Sequence, residues 1–201
     1  MSAAISSTEL QEHAEGEAQQ RGFGWYGMVF FLSSEAVFFA NLIAAYLYLR
    51  VRAGQWPPAS MGANFQLERT IPIINTIILL SSSFPMHFGA RAIARGNWRT
   101  GRWLVLLTAI LGSIFLSGQA YEYTHSSFTP STNIFGSTFF TLTGFHGAHV
   151  TAGVIFLLIM FWRSARGDFT KDKHFPITAV EMYWHFVDIV WVILFTVLYL
   201  I

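Results

Sequence analysis

The stretch YWHFVDIVWVILFTVLYLI, residues 183–201, reads as a membrane-spanning helix that carries His185 and Asp188 three residues apart. An ionisable side chain in hydrocarbon costs roughly 3 to more than 10 kcal/mol, so such groups face a protein interior and take a partner. Reading this segment as a span makes the chain a membrane protein. It also leaves the two ionisable groups to be explained.

Composition agrees with that reading. Of 201 residues, 53% are hydrophobic and 11% charged, a balance that fits a polytopic membrane protein better than a water-soluble domain. There are no cysteines, which excludes disulfides and thiolate metal sites. The basic residues are scattered between apolar runs and form no continuous stripe, so nucleic acid is not expected as a partner.

Residues 1–22 carry Glu9, Glu12, Glu15 and Glu17 with Arg21 and lack an apolar core. They do not resemble a signal peptide and are expected to form a polar, mobile N-terminal tail. Residues 23–201 are expected to form one transmembrane domain. Apolar segments near 23–49, 71–94, 102–121, 135–162 and 178–201 each reach the roughly 20 residues a spanning helix needs. The fold class predicted is all-α, a five-transmembrane-helix bundle. The connection GQWPPASMGANF, residues 54–65, is rich in turn formers and holds Trp56 as a candidate interfacial anchor.

Lysine and arginine set the orientation. Arg21, Arg91, Arg95, Arg99, Arg102, Arg163, Arg166, Lys171 and Lys173 fall on one side, against Arg50, Arg52 and Arg69 on the other. The positive-inside rule then places the N-terminus in the cytoplasm and the C-terminus outside. At about 1.5 Å of rise per residue, Glu35, His146, His149 and Asp188 fall toward the middle of the core, and His87 and His185 nearer the cytoplasmic third.

Each polar group admits two readings. His146 and His149, one turn apart, can bind one ion, or they can be buried histidines hydrogen-bonding to neighbouring helices. A metal site would want further ligands at the same depth, for which Glu35 and Asp188 are available. Glu35 is either a proton relay or an interhelical contact. His185 with Asp188 could be a base and its orienter, but no nucleophile or open pocket is signalled beside them, which favours a fixed local polar pair. Gly27, Ser34 and Asn41 at seven-residue spacing, and Ser113 with Ser117, are of the kind that let helices approach. Pro85 removes the hydrogen bond to the Ser81 carbonyl and is expected to kink the second helix beside His87.

Four segments in order, SSEAVFFANLIAAYLYLR (33–50), GQAYEY (118–123), TGFHGAHVTAG (143–153) and YWHFVDIVW (183–191), resemble the signature segments of haem-copper oxidase subunit III. The likeness covers essentially everything after residue 22. By this resemblance Glu35 matches the buried glutamate of S-E-x-x-F-F, His146 and His149 the histidines of F-H-G-x-H, Glu122 the glutamate of Y-E-Y, and His185 and Asp188 those of W-H-F-V-D. Arg163 falls where the family has a lipid-phosphate-binding arginine and, with His87, is taken as lipid-contacting. The other six are taken as buried polar or structural residues, and none is assigned catalysis or metal binding.

The resemblance implies a non-catalytic subunit of a respiratory terminal oxidase in the bacterial plasma membrane. Such a subunit packs on subunit I, with subunit II in the same complex, and supports its stability, proton uptake and lipid binding during reduction of oxygen to water. Haem and copper belong to the partner subunits, and structural phospholipids are expected. The family's long form has seven helices with a lipid-filled cleft after the first two; this chain resembles the short five-helix form, beginning at the third. Glutamate at position 35, where some quinol-oxidising relatives carry aspartate, looks more like the cytochrome c branch. Subunit III of a quinol oxidase is the alternative. Less favoured are a redox-cofactor subunit, which needs axial histidines on facing helices, and an independent proton or ion transporter relaying through Glu35 and Asp188, for which inverted repeats or broken helices would be expected.

Overall fold

The computed structural model describes the backbone of residues 7–61, 67–169 and 174–201, and within these the side chains from residue 23 onward other than that of residue 59. Residues 1–6, part of the 54–65 connection, and Lys171 and Lys173 lie outside the described residues.

The helices are α1 (Ser7–Arg52), α2 (Thr70–Ala94), α3 (Trp98–His125), α4 (Ile134–Arg166) and α5 (Phe175–Phe195), the last running into a π-helical turn, Thr196–Leu200. Five stretches are long and apolar enough to cross a membrane: Phe23–Arg52, Thr70–Ala94, Trp98–His125, Ile134–Arg166 and Phe175–Leu200. All five expected spans are present, and several extend beyond their apolar cores. Residues 7–22, set apart above as a polar tail, are helical in backbone and continuous with the first span. The third span takes in Arg99 at one end and Glu122 at the other. A helix satisfies its own backbone groups whatever its side chains, so it stops at a cap rather than where hydropathy falls.

Asparagine, glycine and proline close the helix ends. Asn97 accepts from the Thr100 N–H at 3.3 Å, and Asn133 from the Gly136 N–H at 2.9 Å. Gly167 closes α4 at φ 80°, the left-handed conformation that suits glycine. Pro176 sits in the first turn of α5, where its missing N–H costs no helical hydrogen bond. α2 continues through Pro85 to Ala94.

From α2 onward, consecutive helices pack as antiparallel neighbours, whereas the long connection from Arg52 to Thr70 carries the chain from α1 to a helix it does not pack against. At the turn into α3, a Cβ on Gly89 would lie 3.2 Å from the Gly101 carbonyl oxygen, so these two glycines let the α2 and α3 backbones meet. α5 lies against α1, α2 and α4, whereas α1 rests on α4 and α5. One apolar cluster, around Leu79, Met86, Ile93, Val105, Leu157 and Trp184, fills the bundle toward the α2–α3 turn. A second, around Phe39, Tyr46, Phe135, Phe139, Leu194 and Tyr199, fills the opposite end.

Candidate functional site

Several polar side chains within the spans join helices in pairs, most densely along α2 and α5. On α5, Glu181, Trp184, His185, Asp188 and Trp191 recur at three- and four-residue spacing and therefore share one side of the helix. α2 presents Thr76, Ser82, Ser83 and His87 to them in reverse order, as antiparallel helices must. Trp191 Nε1 donates to Thr76 Oγ1 at 2.9 Å and Trp184 Nε1 to Ser82 Oγ at 2.9 Å. Ser83 Oγ donates to Asp188 Oδ2 and lies 3.2 Å from His185 Nδ1. His87 Nδ1 is 2.8 Å from Glu181 Oε1. His185 and Asp188, expected as a local pair, thus act through α2: Ser83 stands between them and both hold it.

Trp184 is fully buried and anchors the seam. Its ring lies where α3 and α4 carry glycine; a Cβ on Gly153 would come within 2.9 Å of it, and Gly112 faces its far edge. These glycines, and not the stripe expected from spacing, let the helices approach. Gly27, Ser34 and Asn41 lie on the exposed side of α1, and no atom comes within 4 Å of a Cβ built on Gly27. Ser113 and Ser117 are exposed too, and their hydroxyls bond carbonyls of their own helix at 2.8 and 2.9 Å. Periodicity marks one side of a helix without saying what that side meets.

His146 and His149 part company. His149 Nε2 is 2.9 Å from Glu35 Oε2, joining α4 to α1, while Nδ1 is 2.7 Å from the Phe145 carbonyl oxygen. A carbonyl cannot donate, so Nδ1 carries a hydrogen, and a single proton shared between Nε2 and Glu35 completes the contact. His146 is fully buried but lies between aromatic rings, stacked 4.9 Å from Trp191 and edge-on to Phe115 at 5.7 Å. Neither of its ring nitrogens has a hydrogen-bond partner among the described residues. The expected hydrogen bond to a neighbouring helix therefore holds for His149 and fails for His146. The two rings do not converge on one point, and the other ligands considered, Glu35 and Asp188, belong to separate contacts.

At the end away from the α2–α3 turn, Tyr199 Oη donates to Glu122 Oε1 at 2.7 Å, tying the π-helical turn to α3. Gln119 Nε2 donates to the Thr143 carbonyl at 2.8 Å, and Tyr123 Oη pairs with Thr143 Oγ1 at 2.7 Å. Trp56, read as an interfacial anchor, donates to Tyr46 Oη at 3.0 Å. Beside it opens a cavity of about 820 Å³ lined by Tyr46, Arg50, Trp56, Glu68, Arg69 and Tyr199. Arg50 reaches the Ile201 carbonyl oxygen.

The opposite end is basic and aromatic. Arg163 lies 3.4 Å from Asp168 and 5.2 Å over Phe169, and the Arg166 guanidinium sits 3.5 Å over Trp162. Arg99 and Arg102 both cover Trp98 at 5.3 Å. His87, grouped above with Arg163 as lipid-contacting, faces Glu181, and its side chain remains 40% exposed. Glu181 is not among the residues singled out from the sequence. Its place four residues before His185 was the available signal.

The chain matches the family model described as cytochrome c oxidase subunit III over residues 4–201. It is 42% identical to "Cytochrome c oxidase subunit 3" of Thermostichus vulcanus, over 98% of this chain and 94% of the relative. It is 43% identical to the protein of that name from Synechocystis sp., over 100% and 85%. A relative of the same name from Gallus gallus is 38% identical over 87% of this chain and 68% of its own length.

Proposed function

We propose, from the premise that this chain belongs to the cytochrome c oxidase subunit III family, a scaffolding role for it within the oxidase. It is a subunit of cytochrome c oxidase and a multi-pass membrane protein. In the proposed role it packs on subunit I, in a complex that also holds subunit II, and the haem and copper belong to those partners. It supports proton uptake and retains phospholipid while the complex reduces oxygen in the bacterial plasma membrane and translocates protons. The N-terminus is cytoplasmic in this reading and the C-terminus outside. That orientation is supported by the belt of Arg99, Arg102 and Arg166 with Trp98 and Trp162 at one end of the bundle.

One observation carries the scaffolding role. The membrane carboxylates and most of the membrane histidines are spent on contacts between helices, Glu35 with His149, Asp188 and His185 with Ser83, Glu122 with Tyr199. Groups held this way fix the bundle's shape. Residues such as Phe30, Val37 and Tyr48 on α1 stay exposed, which leaves apolar surface for lipid or for a larger subunit.

Purification of the tagged chain from native membranes in mild detergent tests the role. Reduced-minus-oxidised spectra should show haem arriving with a larger polytopic partner and leaving when that partner is stripped away. Haem absorbance that stays with this chain alone would overturn it.

A further inference from the structure

Where α2 and α5 approach the basic end, three ligand-type side chains converge in a way the interhelical contacts do not require. His87 Nδ1, Glu181 Oε1 and His185 Nε2 all lie within 4.8 Å of one another. His87 Nδ1 is 2.8 Å and His185 Nε2 3.8 Å from the same carboxylate oxygen. Glu181 lies six residues into α5, roughly 9 Å along the helix from Phe175 at 1.5 Å per residue. The cluster is thus within reach of the membrane surface, and its side chains are partly exposed, His87 40%, His185 37% and Glu181 18%.

The hydrogen bonds beneath the cluster set the tautomer of His185. Ser83 spends its hydroxyl hydrogen on Asp188, so its oxygen can only accept, and His185 Nδ1 must be the donor. In the neutral imidazole of His185 the lone pair is therefore on Nε2, the nitrogen turned toward Glu181. A lone pair and a carboxylate oxygen then face each other 3.8 Å apart, beyond hydrogen-bond range, with a second imidazole on the same oxygen. A cation between them resolves that opposition. Tetrahedral zinc with bonds of about 2.0–2.1 Å separates its ligands by about 3.3 Å, and the two spacings here bracket that value.

The geometry points to a divalent transition-metal site of the zinc class, with His87, Glu181 and His185 as ligands and a fourth position open to water. Two imidazoles and a carboxylate suit zinc better than the oxygen-seeking magnesium or calcium ions. Asp188 and Ser83 form the outer support that holds a ligating histidine in tautomer and orientation. On binding, the ion displaces the proton between His87 and Glu181 to solvent, and His87 ligates through Nδ1 as the Nε2–H tautomer. The ion bridges α2 and α5 and needs no change in its own oxidation state.

The test uses the purified oxidase complex containing this chain, dialysed against buffered micromolar free Zn2+ and analysed for metal per complex. The wild type should hold one zinc more than Glu181→Gln or His87→Gln, and X-ray absorption at the zinc edge should show two imidazole ligands in the difference. Ser83→Ala should keep the site but weaken it about 10- to 100-fold, as expected when outer support is removed. Equal zinc contents in wild type and both ligand variants would overturn the site, as would a lost zinc that lacks imidazole ligation. If Glu181→Gln complexes lose the subunit, His87→Gln, at a partly exposed position, gives the same comparison.

Discussion

α1 and α5 are alike as sequence and opposite as structure. Both are apolar enough to span a membrane, at nearly equal hydropathy, yet in the most apolar part of each span 56% of residues are buried on α5 and 6% on α1. α5 is enclosed by three helices and carries Ile177, Trp184, Val187, Trp191 and Leu194 in the core. α1 buries Phe39 and Tyr46 among its described residues and is held by the Glu35–His149 contact and the stacking of Phe31 on Tyr183 at 6.2 Å. Lipid tails are as apolar as leucine, so hydropathy says that a helix belongs in the bilayer and is silent on whether it is central or peripheral. Shape complementarity and placed hydrogen bonds separate the two: glycines opposite Trp184 for α5, and for α1 a few polar contacts, Glu35 with His149 and Arg50 with the Ile201 carbonyl.

The contrast breaks first at Trp184. Trp184→Ala leaves a void between Gly112 and Gly153 and orphans the Ser82 contact, at an expected cost of about 3–5 kcal/mol. Thermal unfolding of the detergent-solubilised chain should register it as a large loss. Next comes Gly153→Leu, which drives a side chain into the Trp184 ring and should cost about 1–3 kcal/mol by overpacking. Its expected signature is lowered retention in the purified complex.

Asp188→Leu removes the acceptor that holds Ser83 and should cost about 1–2 kcal/mol, typical of interhelical hydrogen bonds in membranes. It should weaken subunit retention before any redox spectrum changes; full retention would mean that the seam stands on packing alone. Glu35→Gln keeps a group able to bond His149 and should give an assembled oxidase with near-normal initial turnover, the gentlest of the polar changes. Immediate loss of oxygen reduction in a fully assembled complex would instead make Glu35 part of an essential path. Smallest of all, Phe30→Leu on the exposed side of α1 should shift stability by less than about 0.5 kcal/mol. An effect as large as that of Trp184→Ala, seen only in the complex, would show that this surface is covered by protein.

Much of the site was visible as residue types and little of it as partners. Glu35, His146, His149, His185 and Asp188 stand out because ionisable groups are conspicuous in apolar runs. Glu181 does not, because six residues inside a helix end a carboxylate looks ordinary. His146 and His149 looked like one pair because i and i+3 differ by only about 60° around the axis. That angle suffices to send one ring between Phe115 and Trp191 and the other to Glu35.

The amino-acid sequence by itself determined the number of spans, their approximate ends and the charge difference between the two ends of the bundle. These are local properties: about 20 apolar residues must form a helix in lipid, and lysine and arginine are counted loop by loop. Only the tertiary structure decided which helix is enclosed, that Ser83 stands between His185 and Asp188, that the small-residue stripe of α1 faces outward, and that His87, Glu181 and His185 meet. Those outcomes depend on the rotation of one helix against another. In a bilayer no gradient of hydrophobicity sets that rotation, and packing with a few hydrogen bonds does.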